Sequence, residues 1–111
     1  MTNESDRPSA EQWEATLAAG AIELEVNKSV VASVQGERSV LLDYERGEYY
    51  GLNAVATSIW KLLREKRSFA DIIDAVTSEY DVSAEAARAD VAALLSDLRK
   101  RGVIRTSERT P

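Results

Sequence analysis

The chain has no cysteine and no histidine. Those two absences remove thiol nucleophiles, imidazole bases, the usual catalytic triads and nearly all structural zinc sites. They also remove any disulfide framework, a composition that suits the cytoplasm. No Gly-rich phosphate loop and no Asp-rich calcium loop occurs. Catalysis by paired carboxylates or lysine remains open on composition. No motif arranges them, so neither catalysis by this chain alone nor a bound cofactor is expected. Long hydrophobic runs are missing as well: every apolar stretch is far too short to cross a bilayer, and residues 1–8 have no signal-peptide core. No membrane partner is expected. Basic residues are in deficit, with 14 Lys and Arg against 19 Asp and Glu and a net charge of −5. Nucleic-acid binders show the reverse balance, because phosphate contacts need clustered cations.

What is present is an ordinary globular composition, 44% apolar and 30% charged over 111 residues, enough for one domain with a modest core. The most informative stretch is Ser39-Val40-Leu41-Leu42-Asp43, a turn at Glu45-Arg46-Gly47, and then Glu48-Tyr49-Tyr50-Gly51-Leu52-Asn53. It reads as a β-hairpin whose second strand runs straight into a helix. That strand holds one charge, no proline and two adjacent tyrosines. At a sheet edge it offers unpaired backbone donors and acceptors with little to deter a partner strand. Such an edge suits docking of an extended peptide, and it equally permits strand pairing between two copies of the chain.

Register follows the buried face. A three-residue loop with Gly47 left-handed pairs Tyr44 with Glu48, Leu42 with Tyr50 and Val40 with Leu52. That gathers Val40, Leu42, Tyr50 and Leu52 on one face, with Leu41, Asp43, Tyr49 and Gly51 on the other. A four-residue loop pairs Leu42 with Tyr49 and Val40 with Gly51, which leaves a thinner apolar face. The three-residue loop is therefore expected.

Before the hairpin, Ile22-Glu23-Leu24-Glu25-Val26 alternates, and Val30-Val31-Ala32-Ser33-Val34 is again β-like. One long kinked strand or two short ones fit. Residues 1–20 are a polar extension. In it, Ser9 and Gln12 can cap a short helix ending at Gly20, with Trp13 and Leu17 either solvated or docked over an apolar groove. After the hairpin come three helices. Asn53 caps the first, with Val55, Ile59, Leu62 and Leu63 at helical spacing and Trp60 either beneath the sheet or at the surface. Ser68 to Asp71 forms a capping box for the second, which turns Ile72, Ile73 and Val76 inward. Ser83 caps the third, over residues 83–101, with Ala87, Val91, Leu94, Leu95 and Leu98 as its stripe. Arg99, Lys100 and Arg101 suit its negative end, and Gly102 stops it. Val103 and Ile104 return to the core. The expected fold is α+β: a three-stranded antiparallel meander followed by a three-helix bundle, winged helix-turn-helix-like, over residues 21–105, with a polar tail at 106–111.

In order and spacing, Val40-Leu41-Leu42-Asp43, Gly47, Tyr49-Tyr50-x-Leu52-Asn53 and Ile59-Trp60-x-Leu62-Leu63 resemble a PqqD-like protein, a precursor-peptide recognition element of ribosomal peptide natural-product pathways. Asp71-Ile72, Tyr80 and the stretch from Asp90-Val91 to Arg101-Gly102-Val103-Ile104 continue the pattern. The likeness is greatest to the standalone partner proteins of lasso-peptide clusters, and it spans roughly Ile22 to Ile104. One departure is Ala56, where such proteins often carry Gly; the exchange is expected to leave the strand edge untouched.

The resemblance implies no catalytic activity. It implies that the leader of a precursor peptide adds as a strand beside residues 48–52, in a cleft against helix 83–101, for delivery to a leader peptidase or other modifying enzyme. Carried over, Glu48, Tyr49, Tyr50, Gly51 and Leu52 supply the receiving edge. Ala87, Val91 and Leu94 form the helical wall, with Arg88 and Asp90 at the rim. On that reading Val91→Asp abolishes binding and leaves the fold intact. The competing reading is a winged-helix DNA-binding regulator. It needs a basic recognition helix, whereas the third helix carries Glu85, Asp90 and Asp97 along its body.

Overall fold

The computed structural model describes residues 10–108, with side chains for 12–107. In chain order the elements are α1 (Ala10–Ala18), β1 (Ile22–Val26), β2 (Val30–Gln35), β3 (Arg38–Asp43), β4 (Glu48–Leu52), α2 (Ala54–Arg64), α3 (Phe69–Glu79), α4 (Ala84–Lys100) and β5 (Ile104–Glu108). The result is mixed α+β, with a three-stranded antiparallel sheet in the order β2-β3-β4.

The helix boundaries are where local chemistry puts them. Asn53 accepts from the Ala56 amide at 2.8 Å and caps α2. Ser68 and Asp71 bond each other's amides in a reciprocal capping box on α3. Ser83 caps α4 through the Ala86 amide at 3.1 Å. Gly102, at φ +77, ends α4 in the left-handed conformation that a side chain disfavours.

Two strands depart from expectation. Ile22–Val34 divides into two, and the first does not join the meander. Instead β1 pairs antiparallel with β5, from Ile22↔Glu108 to Val26↔Ile104. Residues 106–108, read from sequence as polar tail, thus continue a strand. A two-stranded ribbon leaves much of its side-chain surface in water, so Arg105-Thr106-Ser107 gives little apolar signal.

The hairpin register is a second correction. Asp43 pairs with Glu48, Leu41 with Tyr50, Val40 with Gly51 and Ser39 with Leu52. This is the four-residue loop. Its inner face includes two polar residues that counting apolar side chains penalises. Both are buried and bonded. Ser39 and Thr57 share a 2.8 Å hydroxyl bond, and the Asp43 carboxylate accepts from the Ser29 hydroxyl at 2.8 Å. Asp43 also accepts from the Glu45 amide at 3.2 Å and the Arg46 amide at 3.3 Å. An Asp that bonds amides two and three residues on starts a turn, and that fixes where the strand stops.

The core joins the sheet's inner face to the helices: Leu41, Tyr50 and Leu52 meet Ile59, Trp60, Leu63, Ile72, Leu95 and Leu98 in one cluster. Trp60 is therefore an interior residue. Helix α1 docks on α4, with Trp13 and Leu17 buried and the Trp13 indole donating to the Ala92 carbonyl at 2.8 Å. The capping box expected at Ser9 lies outside the described residues.

Candidate peptide-binding cleft

Strand β4 is the last strand of its sheet, and no other strand pairs with its outer edge among the described residues. Which of its backbone groups are free follows from one bond. The Tyr44 amide donates to the Ser29 carbonyl at 3.1 Å, just beyond the Val30↔Asp43 pair. Antiparallel ladders alternate, so Ser39, Leu41 and Asp43 aim their backbone groups at β4, and Glu48, Tyr50 and Leu52 aim back at β3. The outward donors and acceptors therefore belong to Tyr49 and Gly51.

Beside this edge lies a cleft of about 390 Å³, formed by β4 residues 49–52, Asn53 and Ala56 together with Leu94, Asp97, Leu98 and Arg101 of α4 and its C-cap. Spacings of three and four residues put that helical set on one face. One end is charged. The Tyr50 hydroxyl donates to Glu48 at 2.6 Å, the Arg101 guanidinium sits 5.2 Å from the Tyr50 ring centroid, and Arg101 Nε donates to Asp97 at 3.1 Å. The bond to Glu48 is the main reason the Tyr50 phenol titrates above the ordinary value; burial adds to it, and Arg101 and Arg46 oppose it.

Of the residues named from sequence, Tyr49, Tyr50, Gly51, Leu52 and Leu94 come together at the cleft. Glu48 is next to it through Tyr50. Ala87 and Val91, each 1% exposed, are instead in the core. Arg88 is half-buried and Asp90 exposed, both on the N-terminal half of α4 and outside the cleft lining. The α4 residues that line this cleft thus run from Leu94 toward the C-terminus, about two turns beyond Ala87. Ala56 lines the same cleft as the strand edge. Sequence reasoning missed Asp97 and Arg101 as cleft residues and gave Leu98 only to the core. Their spacing from Leu94 was the available signal, but which end of a helix passes a strand is a matter of tertiary crossing.

An open strand edge facing a partly apolar helical wall defines a module suited to holding an extended chain, with no group of residues placed to hold a metal among those described. The chain belongs to the PqqD family: the model described as coenzyme PQQ synthesis protein D matches residues 38–104. Among solved structures it is similar to TbiB1 in complex with the TbiA(beta) leader peptide, at 31% identity and TM-score 0.71, over 73% of this chain and 94% of that one. It is also similar to a lasso peptide synthetase B1 complexed with the leader peptide, at 34% identity and TM-score 0.70, over 75% and 98%. No curated protein matches it.

Proposed function

We propose that this chain binds the leader region of a ribosomally made precursor peptide as an added strand on β4, without catalysis, and presents it to a separate leader peptidase or modifying enzyme in the cytoplasm. Lasso-peptide biosynthesis is the favoured setting, since both similar structures hold leader peptides. The observation that carries this reading is the conjunction of an unpaired β4 edge with the α4 cleft beside it.

The energetics assign each part a task. Ordering a disordered leader costs roughly 1–2 kcal/mol per backbone residue, and each strand hydrogen bond returns only about 0.5–1.5 kcal/mol. Tyr49 and Gly51 alone therefore cannot hold a peptide. Leader side chains packed against Leu52, Leu94 and Leu98 must supply the surplus, at roughly 1.5–3 kcal/mol for each one buried. Selectivity then resides in the cleft, and main-chain pairing sets orientation. The DNA-binding alternative fares poorly, because Glu85, Asp90 and Asp97 are all exposed along α4 and α3 contains no Lys or Arg.

Calorimetric titration with a synthetic lasso-precursor leader peptide tests the proposal. Leu94→Asp and Gly51→Pro should each weaken binding at least tenfold with the fold kept. The proline removes an outward amide and leaves the β3 ladder intact. Affinity unchanged by both substitutions would refute strand addition at this site.

A further inference from the structure

A second hollow adjoins the β4 edge on the opposite face of the sheet. It measures about 480 Å³ and is bordered by the outer-face positions Arg38, Val40 and Gly51, by Gln35 and Asn53 at the strand ends, and by the β3 and β4 residues Ser39 and Leu52. A missing side chain opens part of it. Val40 and Gly51 are cross-strand partners, so both belong to the outer face, where Val40 is 36% exposed. Gly51 leaves a gap one strand wide between Val40 and the open edge. Nothing fills it: a Cβ built at Gly51 meets no atom within 4 Å. Nor does φ require glycine there, since the positive-φ glycines are Gly20, Gly36, Gly47 and Gly102. Glycine in a strand interior costs stability and packs poorly, so neither conformation nor crowding accounts for it.

Resting on the reading that β4 accepts an extended peptide, we propose that this hollow recognises one guest side chain: a large apolar or aromatic residue directly opposite Gly51. Parity dictates the assignment. The guest residue directly opposite Gly51 shares its face, and in an antiparallel guest strand it also bonds the outward groups of Gly51, so its side chain stands on the outer surface. Its neighbours on either side turn toward α4. Adjacent strands are about 4.8 Å apart, so only a long side chain reaches across glycine to Val40. Covering a strand glycine with a cross-strand aromatic is a known stabilising device. The peptide is thus read on both faces, by the α4 cleft and by the glycine hollow.

The test uses the full chain and a displayed library of random twelve-residue peptides. Wild type is panned, the consensus peptide is synthesised and alanine-scanned, and affinities are measured for wild type, Gly51→Val and Leu94→Asp. Gly51→Val should melt at or above the wild-type temperature, because it adds a strand-favouring side chain in open space. It should bind the consensus peptide at least tenfold more weakly. Replacing one large apolar residue of that peptide with alanine should abolish this difference. If Gly51→Val binds like wild type and Leu94→Asp does not, the hollow is unused and the functional reading stands. If both variants bind like wild type, or wild type enriches nothing, both readings fall.

Discussion

The guanidinium of Arg46 lies over Gly102, its Nη1 donating to the Arg101 carbonyl at 2.6 Å. One hairpin side chain thereby caps the C-terminus of α4, and its Nε stands 3.8 Å from the buried Asp43 carboxylate. Any Cβ at position 102 would overlap that guanidinium. Gly102→Ala should therefore cost about 1–2 kcal/mol from the left-handed backbone alone, and more through loss of the Arg46 cap. Urea denaturation of the variant, with Arg46→Ala as comparison, checks this.

Asp43 holds the turn from inside. With its side chain removed, the Ser29 hydroxyl and the Glu45 and Arg46 amides lose their acceptor. Only the Ser29 hydroxyl is left buried, at a cost of about 1–3 kcal/mol, and the two part-buried amides lose less, so Asp43→Ala should destabilise the domain by roughly 2–3 kcal/mol. Asp43→Asn, which keeps an acceptor, should lose less. Equal losses in chemical melts would show that the hydrogen bonds are not the cause.

The Tyr50 phenol should ionise above the ordinary tyrosine range. Its folded pKa lies above the ordinary 10.0, chiefly through Glu48. The stabilisation linked to that shift is complete below the ordinary tyrosine value and disappears as pH rises through the raised one. Ultraviolet difference titration against Tyr50→Phe isolates the Tyr50 phenolate transition, and Glu48→Gln should move that transition to lower pH.

Helix α1 should contribute to stability and not to peptide binding. Trp13 is buried, bonds the Ala92 carbonyl and has the Arg99 guanidinium 5.1 Å from its ring centroid. No described side chain of α1 lines the β4 cleft. Trp13→Ala should undock the helix at a cost of up to about 3–5 kcal/mol. Affinity for a bound peptide should change by less than about twofold, as expected of independent sites. A large loss of affinity would place α1 in the binding site.

Val91 and Leu94 should behave differently despite adjoining positions on α4. Val91 is 1% exposed, so Val91→Asp buries an unpaired carboxylate and should cost at least about 3 kcal/mol. Leu94 is only partly buried at the cleft, and Leu94→Asp should leave a cooperative melt and remove binding. Circular dichroism and peptide titration on the two variants separate core from wall.

Much of the fold was legible because it rests on local chemistry. Caps at Asn53, Ser68 and Ser83 act over three residues, within reach of reading along the chain. The β4 edge was legible from two tyrosines, one charge and no proline. The register was not, since Ser39 and Asp43 look like outward residues until Thr57 and Ser29 are placed against them. Their partners lie 18 and 14 positions away. The cleft wall was half legible: the stripe on α4 was visible, but not which half of it passes β4.

The amino-acid order alone thus determined where the helices after the hairpin begin and stop, that no thiol or imidazole is present, and that one strand invites a partner. Tertiary structure decided which backbone groups of that strand face outward, which turns of α4 stand beside it, and that β1 leaves the meander for β5. Turns and caps are settled by bonds a few residues long. Register and crossing depend on distant polar groups bonding one another in the interior, as Ser39 does with Thr57 and Asp43 with Ser29.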